Sequence, residues 1–111
     1  EILGGEQRLV LSTQVLLETW WVLTRKLARP LEDAAAEAVL QQLCRLPVVG
    51  ADSELVLRAL RTSRVHRVAI WDAMILEAAR SAGCSRVLSE DLQHGRDFDG
   101  VQVVDPFLDG A

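Results

Sequence analysis

The stretch VAIWDAMILEAARSAGCSRVLSED, residues 68–91, decides the fold class. Val68 to Ala82 reads as a strongly apolar helix. It is closed by Gly83, a residue type that accepts the left-handed backbone found at many helix ends. Arg86-Val87-Leu88 then reads as a short strand, stopped by the polar run Ser89-Glu90-Asp91. An apolar helix leading straight into a short apolar strand is the pattern of a buried, mainly parallel sheet covered by helices.

The same alternation extends in both directions. Glu1 to Leu3 resembles the tail of a helix stopped by Gly4-Gly5. Arg8 to Leu11 is a strand candidate, and Ser12 or Thr13 caps a long helix predicted from Gln14 to about Ala28. Pro30 breaks that helix, and an Ala-rich helix follows from Leu31 to about Cys44. Pro47-Val48-Val49 is a second strand candidate. Asp52 or Ser53 caps a further helix to about Thr62, and Ser63 to Arg67 carries no decisive pattern. After Asp91, Gly95 to Gly100 reads as a polar loop and Val101 to Val104 as a last strand, ended at Pro106. These elements predict one domain over residues 1–111: an α/β chain folded as a three-layer α/β/α sandwich with a mainly parallel sheet. In such sheets ligands bind beyond the carboxyl ends of the strands, so the residues after Ser12 and Ser89 are the place to look for chemistry.

Composition narrows the function classes. The 111 residues are 50% hydrophobic and 25% charged, with a net charge of -4, which suits a globular domain and not a disordered one. An acidic balance argues against an indiscriminate nucleic-acid coat but not against an enzyme that holds divalent cations. No apolar run approaches the roughly 20 residues that span a bilayer, and the start has no secretory h-region. A cytoplasmic location is the expectation, and the chain is expected to be the middle of a longer one. Cys44 and Cys84 read as two small hydrophobes, with neither a disulfide framework nor zinc spacing around them.

Two acids lie in apolar helices. Glu18 has Gln14, Val15, Trp21 and Val22 as its helical neighbours, and Asp72 has Val68, Ala69, Ile75 and Leu76. A carboxylate on an apolar face costs several kcal/mol unless a cation or an Arg compensates it. Asp91 follows a strand end. Each has a competing structural reading: Glu18 at the rim of an apolar stripe, Asp72 as an N-cap, Asp91 as the cap of the turn Leu92-Gln93-His94. Three acids near carboxyl strand ends or on apolar helices also suit oxygen ligation of Mg²⁺ or Mn²⁺, which polarises a phosphate and activates water.

The segments STQVLLE (12–18), IWDAMI (70–75), LSEDLQHG (88–95) and VQVVDPF (101–107) resemble, in order, the successive motifs of PIN domains of the VapC toxin type. The last of them differs in carrying Asp where that family more often has Asn before the Pro. The resemblance implies a ribonuclease whose acidic site is Glu18, Asp72 and Asp91, with one or two Mg²⁺ or Mn²⁺ ions and RNA as substrate. Asp91 is preferred to Glu90 because the family acid stands two residues after a Ser or Thr, here Ser89, which orients the site. The resemblance further implies a toxin of a toxin–antitoxin pair, an antitoxin protein partner and a homodimer. The family's first acid lies on a central first strand, and no such segment precedes Glu1. The chain as it stands is therefore expected to be N-terminally incomplete and to lack one ligand. Two readings compete with the nuclease: a non-catalytic PIN-like interaction module, and a phosphoryl-transfer receiver domain, which fits poorly because no strand-end Asp pair and suitably placed Lys appear.

Other features are weighed against bland alternatives. Arg58, Arg61, Arg64 and Arg67 recur every three residues; on an ideal helix such a row swings about 180°, so they cannot all face one ligand. Arg64 and Arg67 are the candidates for RNA-phosphate contact, against a solvated face. Trp20, Trp21 and Trp71 are read as core or dimer-interface packing rather than base platforms, His66 as a surface residue, His94 as a weak catalytic candidate, and Asp97 and Asp99 as members of a solvated loop.

Overall fold

The computed structural model describes residues 9–89 and 95–104. Strand β1 (Leu11–Ser12) leads into helix α1 (Thr13–Trp21), because Ser12 stays extended and its Oγ accepts a hydrogen bond from the Val15 amide at 3.1 Å. The predicted long helix does not run through to Ala28. At Val22 it widens into a π-helical turn, Val22–Lys26, and Leu27 donates back to the Val22 carbonyl. The hydroxyls of Thr19 and Thr24 bond the carbonyls of Val15 and Trp20, four residues back. Such back-bonding by β-branched residues competes with the regular helical ladder.

Helix α2 (Asp33–Leu43) crosses back to strand β2 (Val48–Val49), which pairs in parallel with β1 in the register Leu11 to Val48. Asp52 caps helix α3 (Ser53–His66), its carboxylate accepting from the Leu55 amide at 2.8 Å. The helix takes in Ser63 to His66, the stretch without a decisive pattern, and stops at Arg67 in the left-handed conformation with φ 56°. Helix α4 (Ile70–Ser81) packs on α3 and leads through Gly83, φ 75°, into strand β3 (Arg86–Leu88).

The expected polar loop after Gly95 contains a strand. Strand β4 (Asp97–Phe98) and strand β5 (Val101–Val104) form an antiparallel hairpin turned by Asp99 and Gly100. Both turn residues have positive φ, 54° and 97°, as the tightest hairpins require. β5 pairs in parallel with β3, so among the described residues two of the three strand pairings are parallel.

The best-packed core lies under this second sheet. Phe98, Leu76 and Val103 are fully buried together with Val87 and Val101, and Ile75 and Ala79 pack against them. Each large apolar side chain buried there stabilises the fold by about 1.5–3 kcal/mol relative to exposure. The alternation buried–exposed–buried along Val101-Gln102-Val103 shows one face of β5 on the core. Among the described residues the two sheets, β1-β2 and β3-β5-β4, do not hydrogen-bond to each other. Between them runs an apolar cavity of about 150 Å³, lined by Val10 and Leu11 on one side and Val87 and Leu88 on the other. The architecture is the mixed α/β, sheet-and-helix arrangement the sequence predicts. No helix is long and apolar enough to cross a membrane among the described residues.

Candidate active site

The carboxyl end of β1 and the start of α4 meet. Gln14 lies in the first turn of α1, directly after the capped end of β1. Its amide nitrogen donates to the Trp71 carbonyl at 3.1 Å. Trp71 lies in the first turn of α4 and precedes Asp72. Because α4 runs into β3 through a short turn, its C-terminal end adjoins the start of β3. Its N-terminal end, with Asp72, therefore lies toward the end of the sheet where β3 finishes. Ser89 follows β3 there and donates its amide to the Val104 carbonyl at 3.0 Å.

Asp72 is half-buried and is not the N-cap, since Ala69 holds that position. It sits in the first turn, where the unpaired amides of a helix favour a negative charge. Asp72 and Ser89 each make a further interaction beyond these. Glu18 lies one turn beyond Gln14 on the same face of α1. The expectation that Glu18 bears a desolvation cost on an apolar face is incorrect: it is exposed. Its apolar neighbours Trp21 and Val22 are themselves exposed, and no residue of α1 is fully buried, so no apolar face forms around the carboxylate. Asp91, Glu90 and His94 lie outside the described residues.

Glu18 and Asp72 offer carboxylate oxygens, the donor type hard divalent cations take. Among the described residues there is no group of three or more His, Cys, Asp or Glu able to hold a metal ion. Two of the three expected ligands thus lie on elements that the Gln14–Trp71 bond joins, and the third is Asp91.

Arg64 and Arg67 are exposed at the C-terminal end of α3, beside the turn into α4. Trp21 and Trp71 are also exposed, at 51% and 66%, so core packing does not account for them; Trp20 is half-buried.

Among the described residues the most buried acid is one the sequence did not single out. Glu77 is 3% exposed and accepts from Thr62 at 2.9 Å, with the guanidinium of Arg80 at 3.3 Å and that of Arg58 at 3.7 Å. Its Arg80 partner stands three residues on, a spacing visible in the sequence. Arg80 also donates to the Phe98 and Asp99 carbonyls, tying α4 to the β4–β5 turn. Asp99 and Asp97 are not free loop acids. Asp97 accepts from the Gly100 amide at 2.7 Å, and Asp99 meets His66 Nε2 at 3.1 Å. The hydrogen bond from His66 holds the Asp99 carboxyl below its ordinary value. His66 is itself half-buried, edge-on to Phe98, and so is not the plain surface residue expected.

A fold of this kind takes its ligands beyond the carboxyl ends of its parallel strands, the end toward which Asp72 lies. The PIN domain family model matches residues 1–98, and the chain belongs to that family. PIN domains are generally nucleases and generally depend on divalent metal ions. No curated protein sequence matches the chain.

Proposed function

We propose that this PIN domain is a Mg²⁺- or Mn²⁺-dependent endoribonuclease, acting as the toxin of a toxin–antitoxin pair in the cytoplasm. The observation that carries the reading is the Gln14–Trp71 bond, which joins the helices bearing Glu18 and Asp72 at the carboxyl end of β1. Glu18, Asp72 and Asp91 would hold the ions. When bound, the ions polarise the scissile phosphate and lower the pKa of an attacking water. The chain's own residues position the reaction. Asp72 is set by the first turn of α4 and Glu18 by α1, while Ser89 orients the strand end. Arg64 and Arg67 are proposed to contact RNA phosphates flanking the cut, as charges that position without reading sequence. An antitoxin protein and a second copy of the chain are the proposed protein partners.

A second reading, a PIN-like module that binds a partner without catalysis, is favoured by one observation: Glu18 is exposed. The two readings part on one assay. Incubated with RNA and millimolar Mn²⁺ or Mg²⁺, the full-length protein should cut, and EDTA should stop it. A pure preparation that binds a partner but never cleaves RNA with either ion sinks the nuclease reading.

A further inference from the structure

An open recess of about 340 Å³ lies between α3, α4 and the β4–β5 turn. It occupies the face of α4 that carries Glu77 and Arg80. The cavity between the two sheets touches Ile75, Ala78 and Ala79, about 180° around the same helix. The recess is thus walled by residues that do not face the space between the sheets. Asp72 is remote from it too, since Arg80 stands about 12 Å further along the helix axis.

Three guanidiniums, from Arg58, Arg61 and Arg80, line the recess against two carboxylates, Glu77 and Asp99. Both carboxylates are engaged: Glu77 accepts from Thr62 and Arg80, and Asp99 meets His66. Arg80 is engaged as well, with Nε toward Glu77 and its terminal nitrogens donating to the Asp99 and Phe98 carbonyls. The other two cations keep free donors. Arg58 approaches Glu77 through Nε alone, at 3.7 Å, and its terminal nitrogens donate to nothing among the described residues. Arg61 makes no hydrogen bond or ion pair among the described residues. Holding the fold together accounts for Glu77 and Arg80 but not for these two forks. They stand three residues apart on α3, about 60° around it. Of the row of four arginines, these two border the recess, and Arg64 and Arg67 do not.

We propose that the recess binds a terminal phosphate, as free phosphate or as a small phosphomonoester, held between the Arg58 and Arg61 forks. A carboxylate has two oxygens and is satisfied by one guanidinium fork, whereas a terminal phosphate has three and can take two. A phosphodiester has only two free oxygens and one charge, so a nucleic-acid backbone fits less well. The volume lies at the lower end of small-ligand pockets, which leaves room for a small organic body against Val65. Of the two carboxylates that oppose an anion, Glu77 is 3% exposed and paired, whereas Asp99 is 74% exposed. The proposal is independent of the nuclease reading.

Calorimetric titration of the full-length protein tests it, in EDTA and a phosphate-free buffer at fixed ionic strength. The probes are inorganic phosphate, glycerol 3-phosphate and dimethyl phosphate. EDTA keeps divalent ions from carrying phosphate to the acidic site. Inorganic phosphate or glycerol 3-phosphate should bind saturably, and dimethyl phosphate roughly tenfold more weakly. Arg58→Gln and Arg61→Gln should each weaken binding by roughly tenfold. Asp99→Asn should tighten it. Arg45→Gln, which removes an exposed arginine beyond α2 that does not line the recess, should leave it unchanged. Arg58→Gln also loses a Glu77 contact, but Arg61→Gln has no partner to lose, so its effect reads the site alone. Tighter binding of glycerol 3-phosphate than of inorganic phosphate identifies a phosphorylated small molecule as the ligand, and the reverse order identifies free phosphate. The proposal is overturned if neither probe binds, or if Arg61→Gln binds like wild type. It is overturned equally if Arg45→Gln weakens binding as much as Arg61→Gln, or if dimethyl phosphate binds as well as phosphate.

Discussion

The side-chain amide of Gln14 donates to the backbone carbonyl of Trp71 across 57 residues of sequence, tying the helix that follows β1 to the first turn of the helix that leads to β3. A backbone carbonyl in the first turn of a helix is already engaged further along, so this bond adds little to stability. Its consequence is positional, because Glu18 lies one turn from Gln14 and Asp72 is the residue after Trp71.

Gln14→Ala should therefore lower stability by less than about 1 kcal/mol, as expected for one exposed neutral hydrogen bond. It should lower metal-dependent kcat by roughly tenfold or more, since small misplacements of reacting groups are costly. Thermal unfolding and single-turnover cleavage at saturating Mn²⁺ measure the two effects. A large loss of stability with unchanged cleavage would mean that the bond holds the fold and not the site.

Glu77 is the opposite case, a buried acid that acts on the fold. Breaking a buried ion pair costs about 3–5 kcal/mol when it leaves a charge without solvent. Here the charges left behind, Arg58 and Arg80, are 47% and 32% exposed and can be rehydrated. Glu77→Gln should thus cost less, about 1–3 kcal/mol, read as a drop in Tm of several degrees. A Tm unchanged within a degree would show that Arg80 is held by the Phe98 and Asp99 carbonyls alone.

Arg67 ends α3 with φ 56°, where a Cβ costs about 1 kcal/mol. Arg67→Gly should raise stability by about 0.5–1 kcal/mol in chemical denaturation. If Arg67 also contacts RNA, the same variant should raise KM while stabilising the protein. Stabilisation with an unchanged KM would leave Arg64 as the remaining candidate on this end of α3.

The hydrogen bond that depresses the Asp99 carboxyl has a pH signature. The folded value lies below the ordinary 3.8, so its contribution is present in full above about pH 3.8 and is lost as pH falls toward the folded value. Asp99→Asn should flatten acid unfolding in that window and leave the slope of stability between pH 5 and 6 little changed as far as the Asp99 carboxyl is concerned. Because Asp99 is exposed, the effect should be small; a large one would point to another acid as the source.

Much of the architecture is legible in the sequence because caps and apolar runs are local signals. Ser12 and Asp52, each one of two adjacent cap candidates in the sequence, are the caps. Arg86–Leu88 and Val101–Val104 are strands as predicted. The sequence of β4 reads as loop because its polar composition masks the Asp99-Gly100 dipeptide, a strong hairpin signal in its own right. The acids show the limit of neighbour counting. Glu18 and Glu77 both have apolar residues at helical spacing, yet one is exposed and the other buried. The difference lies in what packs on the helix. α4 is covered by α3 and the second sheet, whereas α1 buries no residue fully. That depends on contacts remote in sequence, which local spacing does not encode.

Asp72 carries the decisive test of the site. Asp72→Asn preserves shape and removes the charge that a divalent cation would need. In the wild-type protein Mn²⁺ should raise the Tm, because an ion that binds only the folded arrangement stabilises it, by about 2.7 kcal/mol at a hundred times its Kd. In Asp72→Asn that metal-dependent rise should shrink or vanish, while the metal-free Tm stays close to wild type because the side chain is only half-buried. RNA cleavage should fall by at least about a hundredfold, the upper range seen when only a ligand's supporting partner is lost. Suppose instead that Asp72→Asn keeps both the Mn²⁺ response and the cleavage rate. Asp72 is then a first-turn helix residue that serves the macrodipole alone, and the interaction-module reading becomes the better account of this chain.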